Sequence, residues 1–276
     1  RRKQMKEFFF LSGMQRSGAT VLSAILNQNP DVWVSPASPL FRMMLTQTQS
    51  HNELENIDYS RSAAIDDTIT TIPHAFYQDK SAKYIIDKNL NWPNPQGVEL
   101  INRYITKDIK IICPVRNVLD VIVSFDTIVN AHPDSKNNQM DEQVLAQTFG
   151  NLPLADRRAD FLMRHDKDIA LSLNFMKHAL IPEYRHIFHF VDYDDLINNP
   201  EQEINKIYEY LEIPIFNHKF KNIEDVSGIS EKSLTGIKNL HKIRPKLEKK
   251  SRKPEDVLQP ETIQRYSGLE FWRGIK

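Results

Sequence analysis

The 276-residue chain carries 36 Lys+Arg against 36 Asp+Glu, a formal net charge of zero, and 40% of its residues are apolar. That length suits one large α/β domain or two small ones, and the charge balance excludes non-specific nucleic-acid binding, which needs a basic excess. The single Cys113, set in the apolar run Ile111-Ile112-Cys113, excludes an internal disulfide and fits a reduced compartment, the cytoplasm.

Taken in order, the chain opens on Arg1-Arg2-Lys3, and the apolar run that follows is too short for a secretion signal or a membrane span. That run, Phe8-Phe9-Phe10-Leu11, reads as a strand ending at Ser12-Gly13. Gly18 follows five residues after Gly13, and Val21, Leu22, Ile25 and Leu26 then recur at helical spacing. Strand, tight loop and helix in that order turn backbone N–H groups towards one point, where the helix end adds about half a positive charge. This is a cradle for a phosphate-like anion, or else a loop that only ends a strand and caps a helix.

The Gly-x4-Gly spacing matches the nucleotide-binding phosphate loop GxxxxGK[ST] except that Ala19 stands where the lysine should be. A cation lies inside the loop instead, at Arg16, and Thr20 keeps the hydroxyl. Without that lysine the main γ-phosphate contact is lost, so the loop is expected to hold an anion other than a triphosphate.

Residues 31–35 read as a short second strand, broken off by Pro36 and Pro39. Residues 40–81 are polar with helical fragments at 41–45 and 65–76, expected as an insertion covering the sheet edge and shaping a substrate region. Residues 83–88 form a third strand, ending in Asp87-Lys88, with a helix over 98–105. Residues 109–115 are the most continuous apolar strand and end at Arg116; a helix over 119–130, a polar loop over 131–138 and further helices to 184 follow. Residues 186–191 read as a last strand, ending at Asp192-Tyr193, and Pro200 starts a helix bearing Ile204, Ile207, Tyr208 and Leu211 on one face. The last 60 residues are rich in lysine and proline and only weakly periodic.

Strands alternating with helices imply a mostly parallel sheet covered on both faces, with ligands bound beyond the strands' carboxyl ends. Those ends carry Arg16, Lys88, Arg116 and Tyr193. Any one of the cations alone would be ordinary solvated charge. Three at successive strand ends in a chain of zero net charge imply a pocket for a ligand with several anionic groups. A Mg²⁺-dependent phosphoryl transferase also needs acidic metal ligands; Asp87 is the one candidate, and Lys88 beside it favours charge neutralisation without metal.

Gly13-Met14-Gln15-Arg16-Ser17-Gly18-Ala19-Thr20 resembles the 5′-phosphosulfate loop, with its R-S-G-T-T core after a proline, of the sulfotransferases that use 3′-phosphoadenosine 5′-phosphosulfate (PAPS). The segment from Arg116-Asn117-Val118-Leu119-Asp120 to Ser124 is similar to their 3′-phosphate motif, R-[DN]-P-x-D-x-x-x-S. Val191-Asp192-Tyr193-Asp194-Asp195-Leu196 with Asn199-Pro200 resembles their V-x-Y-E-D-L…P segment. The resemblance is closest in style to the protein-tyrosine and bacterial enzymes and covers the sheet from residue 8 to about 211.

It implies that Arg16 and the backbone of Ser17, Gly18, Ala19 and Thr20 hold the 5′-phosphosulfate, and that Arg116 and Ser124 bind the 3′-phosphate. It further implies that Tyr193 packs near the adenine and that Lys88 is the catalytic lysine. Sulfuryl transfer spreads negative charge over oxygens, so fixed Arg and Lys donors such as Arg16 and Lys88 are its main requirement, and no metal follows.

Three motif positions depart from the pattern: Gln15 and Val118 replace prolines and Ala19 replaces a threonine. The general base is absent from both family positions, which are Leu90 and the stretch Ser35-Pro36-Ala37-Ser38 here. His51, Glu53, His132, His165 and His241 are substitutes between which the sequence does not choose. The late basic run around Arg244 is either a solvated face or, as in the family, a segment closing over the cofactor, with Arg244 on the 3′-phosphate.

The expectation is therefore a single α/β domain over residues 1–276, a three-layer P-loop-type parallel sheet flanked by helices with helical insertions. Residues 40–81 would be the acceptor region and 217–276 the closing segment. It would move a sulfuryl group from PAPS to a hydroxyl or amine of a small-molecule, glycan or peptide acceptor, without metal. The alternatives are a nucleotide-dependent kinase and a non-catalytic adenine-nucleotide-binding module.

Overall fold

A computed structural model describes residues 6–53, 62–132, 142–224, 247 and 252–275. Five strands, β1 (Glu7–Leu11), β2 (Val32–Val34), β3 (Tyr84–Lys88), β4 (Ile111–Val115) and β5 (Phe188–Asp192), form one parallel sheet in the order β2-β3-β1-β4-β5. The strand that feeds the glycine loop lies at the centre. Its four consecutive apolar residues, Phe8 to Leu11, are each 6% exposed or less, as a strand covered on both faces requires.

Alternation along the strands sorts two cores. Phe9, Leu11, Ile86 and Ile112 pack under α1 (Ala19–Leu26) and under two later helices whose buried residues include Leu196, Ile204, Ile207 and Tyr208. Phe8, Phe10, Ile85, Ile111, Cys113 and Val115 face the opposite layer. That layer includes α2 (Leu40–Glu53), α3 (Ser62–Phe76), α4 (Pro95–Tyr104) and α5 (Val118–Ala131). After α5 come α6 (Glu142–Phe149), α7 (Leu154–Leu162) and α8 (Asp168–Met176), all three also packing on this face.

The helical fragments expected over residues 40–81 are two full helices, and they sit on a face of the sheet rather than only at its edge. Phe41 of α2 meets Trp92 at 5.5 Å between ring centroids, and Trp92 meets Phe10 of the central strand at 4.8 Å. Edge-on aromatic contacts of this kind carry the insertion onto the sheet. Strand boundaries shift by one to two residues from expectation. Residues 186–187 belong to a 3₁₀ turn (Pro182–Ile187), because Pro182 fixes the start of a helical turn.

The last expected strand end is also revised. Tyr193 is the first residue of a short helix, α9 (Tyr193–Asn198), whose N-cap Asp192 accepts a hydrogen bond from the Asp194 N–H. Pro200 opens α10 (Pro200–Leu211) as expected. In the C-terminal stretch α11 (Pro260–Tyr266) lies between 3₁₀ turns at Pro254–Asp256 and Phe271–Gly274.

Candidate active site

The glycine loop is pinned to β4. The Met14 N–H donates to the Pro114 carbonyl at 2.9 Å, and the Ser17 hydroxyl donates to the carbonyls of Pro114, also at 2.9 Å, and Met14. Gly13 is required by this approach, since a Cβ there would lie 2.2 Å from the Pro114 oxygen. Arg16 has φ 62° and Gly18 φ 86°; the left-handed Arg16 costs about 1 kcal/mol and persists because the pinned loop dictates it.

Gly18 is the N-cap of α1 and supplies no side-chain cap, and the first turn carries no acid. The first N–H groups of α1, among them those of Ala19 and Thr20, thus remain as donors for an anion. That uncapped end, with a cation beside it, fits the 5′ end of PAPS. The Ser17 hydroxyl is used inside the loop, which leaves its backbone N–H as the group this residue can offer a ligand.

The 3′-phosphate motif folds as its residue types dictate. Asn117 caps α5 by accepting from the Asp120 N–H at 3.2 Å, and Asp120 lies 3.6 Å from the Arg116 Nε. Arg116 is 6% exposed. Its Nη1 donates to the Arg16 carbonyl at 3.3 Å, and its guanidinium lies 4.5 Å above the Tyr193 ring. Arg16 in turn donates from Nε to the Ser124 hydroxyl at 3.3 Å, two turns into α5. The Tyr193 ring closes the circuit against Gly18, where a Cβ would sit 2.6 Å from its Cδ2. Three segments far apart in sequence, around Arg16, Arg116 and Tyr193, thus meet at one point.

Lys88, half-buried, ends β3 next to β1, its register partner being Leu11. Its backbone is held on both sides by the turn after β2: its N–H donates to the Ser35 hydroxyl at 2.8 Å and its carbonyl accepts from Ser38 at 3.1 Å. The Asn89 amide adds a bond to the Ser38 carbonyl at 2.7 Å. Sequence reasoning set this stretch aside for lacking a base; serines straight after a short strand were the only signal for a bracing role.

Asp87 is not at the site. It points to the other face, where its carboxylate accepts from the Tyr77 hydroxyl at 2.6 Å and from the Trp92 indole at 2.7 Å. Complete burial pushes this carboxyl above the usual range. Among the described residues, no group of three or more His, Cys, Asp or Glu could hold a metal ion.

Of the substitute bases, His132 is the residue after α5 and His165 is exposed beyond α7. The side chains of His51 and Glu53, and the whole of His241 and Arg244, lie outside the described residues. Two contacts had no sequence signal. Gln15 donates from Nε2 to Asp168 at the start of α8, 2.6 Å away, and Glu270 of the C-terminal segment accepts from the Val118 N–H at 2.9 Å. A cavity of about 830 Å³ along β5, walled by Phe188, Phe190 and Trp272, is lined by Asp192, Asp194 and Asp195 of the third motif but by none of Arg16, Lys88, Arg116, Ser124 and Tyr193.

Residues 6–255 match the family described as the sulfotransferase domain. No curated protein matches the sequence. The fold is similar to the sulfotransferase domain from the curacin biosynthetic pathway, with a TM-score of 0.60 and 17% identity over 99% of this chain and 98% of that one. It is similar to the sulfotransferase domain of the Synechococcus PCC 7002 olefin synthase, with a TM-score of 0.52 and 15% identity over 100% and 98% of the two chains. Mouse sulfotransferase SULT7A1, solved with PAP, aligns over 96% of this chain and 82% of its own, with a TM-score of 0.52 and 15% identity. With its parallel α/β sheet and glycine loop, the chain belongs to the sulfotransferase domain family and is an enzyme that transfers a sulfuryl group from PAPS to an acceptor.

Proposed function

We propose that this enzyme binds the 5′-phosphosulfate of PAPS with Arg16 and the backbone N–H groups of Ser17 to Thr20, and the 3′-phosphate with Arg116 and Ser124. Tyr193 packs near the adenine, and Arg244 reaches the 3′-phosphate from the closing segment. Lys88 and Arg16 neutralise charge on the sulfuryl and leaving oxygens, and the acceptor is a hydroxyl or amine of a small molecule, glycan or peptide. When bound, PAPS supplies an activated sulfuryl group; these residues fix its orientation and offset its charge. The observation that carries the assignment is the Arg16–Ser124 bond beside the Arg116–Arg16 contact. One ligand with phosphates at both ends of a ribose meets both motifs at once.

In this proposal the chain is one domain over residues 1–276, with residues 40–81 contributing to the acceptor site and 217–276 closing over the cofactor. No described helix is long and apolar enough to cross a membrane. The buried free thiol of Cys113 suits a cytoplasmic setting.

Adenosine 3′,5′-bisphosphate at about 100 times its Kd, without Mg²⁺, is expected to stabilise the fold by about 2.7 kcal/mol, a rise of several degrees in Tm. Stabilisation by ATP with Mg²⁺ and none by the bisphosphate would instead indicate a kinase-like site, which Ala19 in place of the loop lysine disfavours.

A further inference from the structure

The catalytic set lacks a group to take the acceptor's proton, and we infer that Asp168 is that group. The inference rests on the PAPS site proposed above. Asp168 is the first residue of α8, exposed, and its carboxylate is bonded to Gln15 Nε2 at 2.6 Å. Gln15 immediately precedes Arg16, so this contact sets a carboxylate at the rim of the anion loop.

The side of the loop on which it stands matters. α1 covers the sheet face bearing Phe9 and Leu11, and its N-terminus forms the floor of the anion site. α8 buries Ile169, Leu173 and Met176 in the opposite core, with Phe10 and Val115. An acceptor cannot approach through α1, so it comes over the rim that Gln15 and Asp168 form. Among the described residues, no hydrogen bond is found between the loop and His132 or His165.

In the transfer, the acceptor oxygen or nitrogen forms a bond to sulfur as its proton passes to the Asp168 carboxylate. The bond from sulfur to the 5′-phosphate oxygen breaks, and its electron pair leaves on that phosphate. A carboxylate in this place has a second consequence. It faces the sulfuryl end of PAPS and repels it in the ground state, and it repels the bisphosphate less, because the remaining 5′-phosphate lies farther from it.

Calorimetric titration of wild type and Asp168→Asn with PAPS and with the bisphosphate tests the placement. The Asn variant is expected to gain several-fold more affinity for PAPS than for the bisphosphate. An unchanged affinity ratio would overturn the inference. Failure of wild type to bind the bisphosphate would overturn the underlying site instead.

Transfer to phenols of graded acidity tests the chemistry. Asp168→Asn should lose roughly 10²-fold or more in kcat with unsubstituted phenol and only a few-fold with 4-nitrophenol, whose proton is already labile. An equal loss with both would make Asp168 a structural partner of Gln15 only. Gln15→Ala, which keeps the carboxylate but removes the contact that sets it, should show the same bias to a smaller extent, losing more with unsubstituted phenol than with 4-nitrophenol.

Discussion

Arg116 is a charged side chain at 6% exposure, and its surroundings explain how it is retained there. Asp120 lies one helical turn away at 3.6 Å, the Arg16 carbonyl accepts from it, and the Tyr193 ring lies beneath its guanidinium. It is therefore preorganised, and a phosphate gains its charge without ordering a long side chain. Arg116→Ala is expected to weaken bisphosphate binding by about 2 to 5 kcal/mol, the range for truncating one partner of a buried charge pair. Lys88→Ala should leave that binding within a few-fold of wild type while lowering kcat by roughly 10²-fold or more, because Lys88 is proposed to serve charge that develops during transfer. Titration calorimetry and turnover with PAPS separate the two; equal activity of the Lys88 variant and wild type would remove its catalytic role. Both residues were readable from the sequence, since cations at the ends of apolar strands stand out in a chain without net charge. Asp168 was not, because one acid in a first helical turn is ordinary and only the folded chain brings it to Gln15.

At the scale of elements, the run Asp87-Lys88 shows how one strand serves two purposes. Alternation sends Lys88 towards the α1 side and Asp87 into the core below α2, α3 and α4, where Tyr77 and Trp92 bond it. The sequence offered Asp87 as a metal ligand because adjacency in sequence hides that neighbouring strand residues face opposite ways. Burial raises its carboxyl above the ordinary aspartate value of about 3.9. From about that value upward the unfolded chain gives up this proton while the folded chain keeps it, so this group's contribution to stability falls with rising pH, until the folded carboxyl also ionises. Asp87→Asn has no proton to lose. Its stability relative to wild type, read by urea unfolding from about pH 4 to 8, should improve as pH rises, by about 1.4 kcal/mol for each unit of elevation. A flat difference across that window would mean that Asp87 titrates as an exposed carboxylate does.

At the scale of the whole molecule, the order β2-β3-β1-β4-β5 is visible only in the folded chain, but the parallel sense of the sheet follows from the sequence pattern, since apolar strands separated by helices leave little other choice. The route of the C-terminal segment does not. Its residues are too polar and too irregular for periodicity to place, and its docking is set by single contacts: Phe271 on Phe190 at 5.9 Å, Arg273 on Asp192 at 3.1 Å, and Glu270 on the Val118 N–H at 2.9 Å. The last of these sets a carboxylate at the start of α5, two residues from Arg116. It caps the helix there, yet its charge opposes the phosphate that Arg116 is proposed to bind. Stability and binding should therefore respond in opposite senses to Glu270→Gln. The amide keeps an acceptor for Val118 but loses the charge–dipole attraction, at a cost of about 0.3 to 1 kcal/mol in urea unfolding. Bisphosphate binding should tighten by a few-fold at low salt, with the gain shrinking as ionic strength approaches about 1 M, where the Debye length is about 3 Å. Weaker binding in the variant would mean that Glu270 supports the site by holding α5 in place, and that its charge is too well screened for the 3′-phosphate to sense.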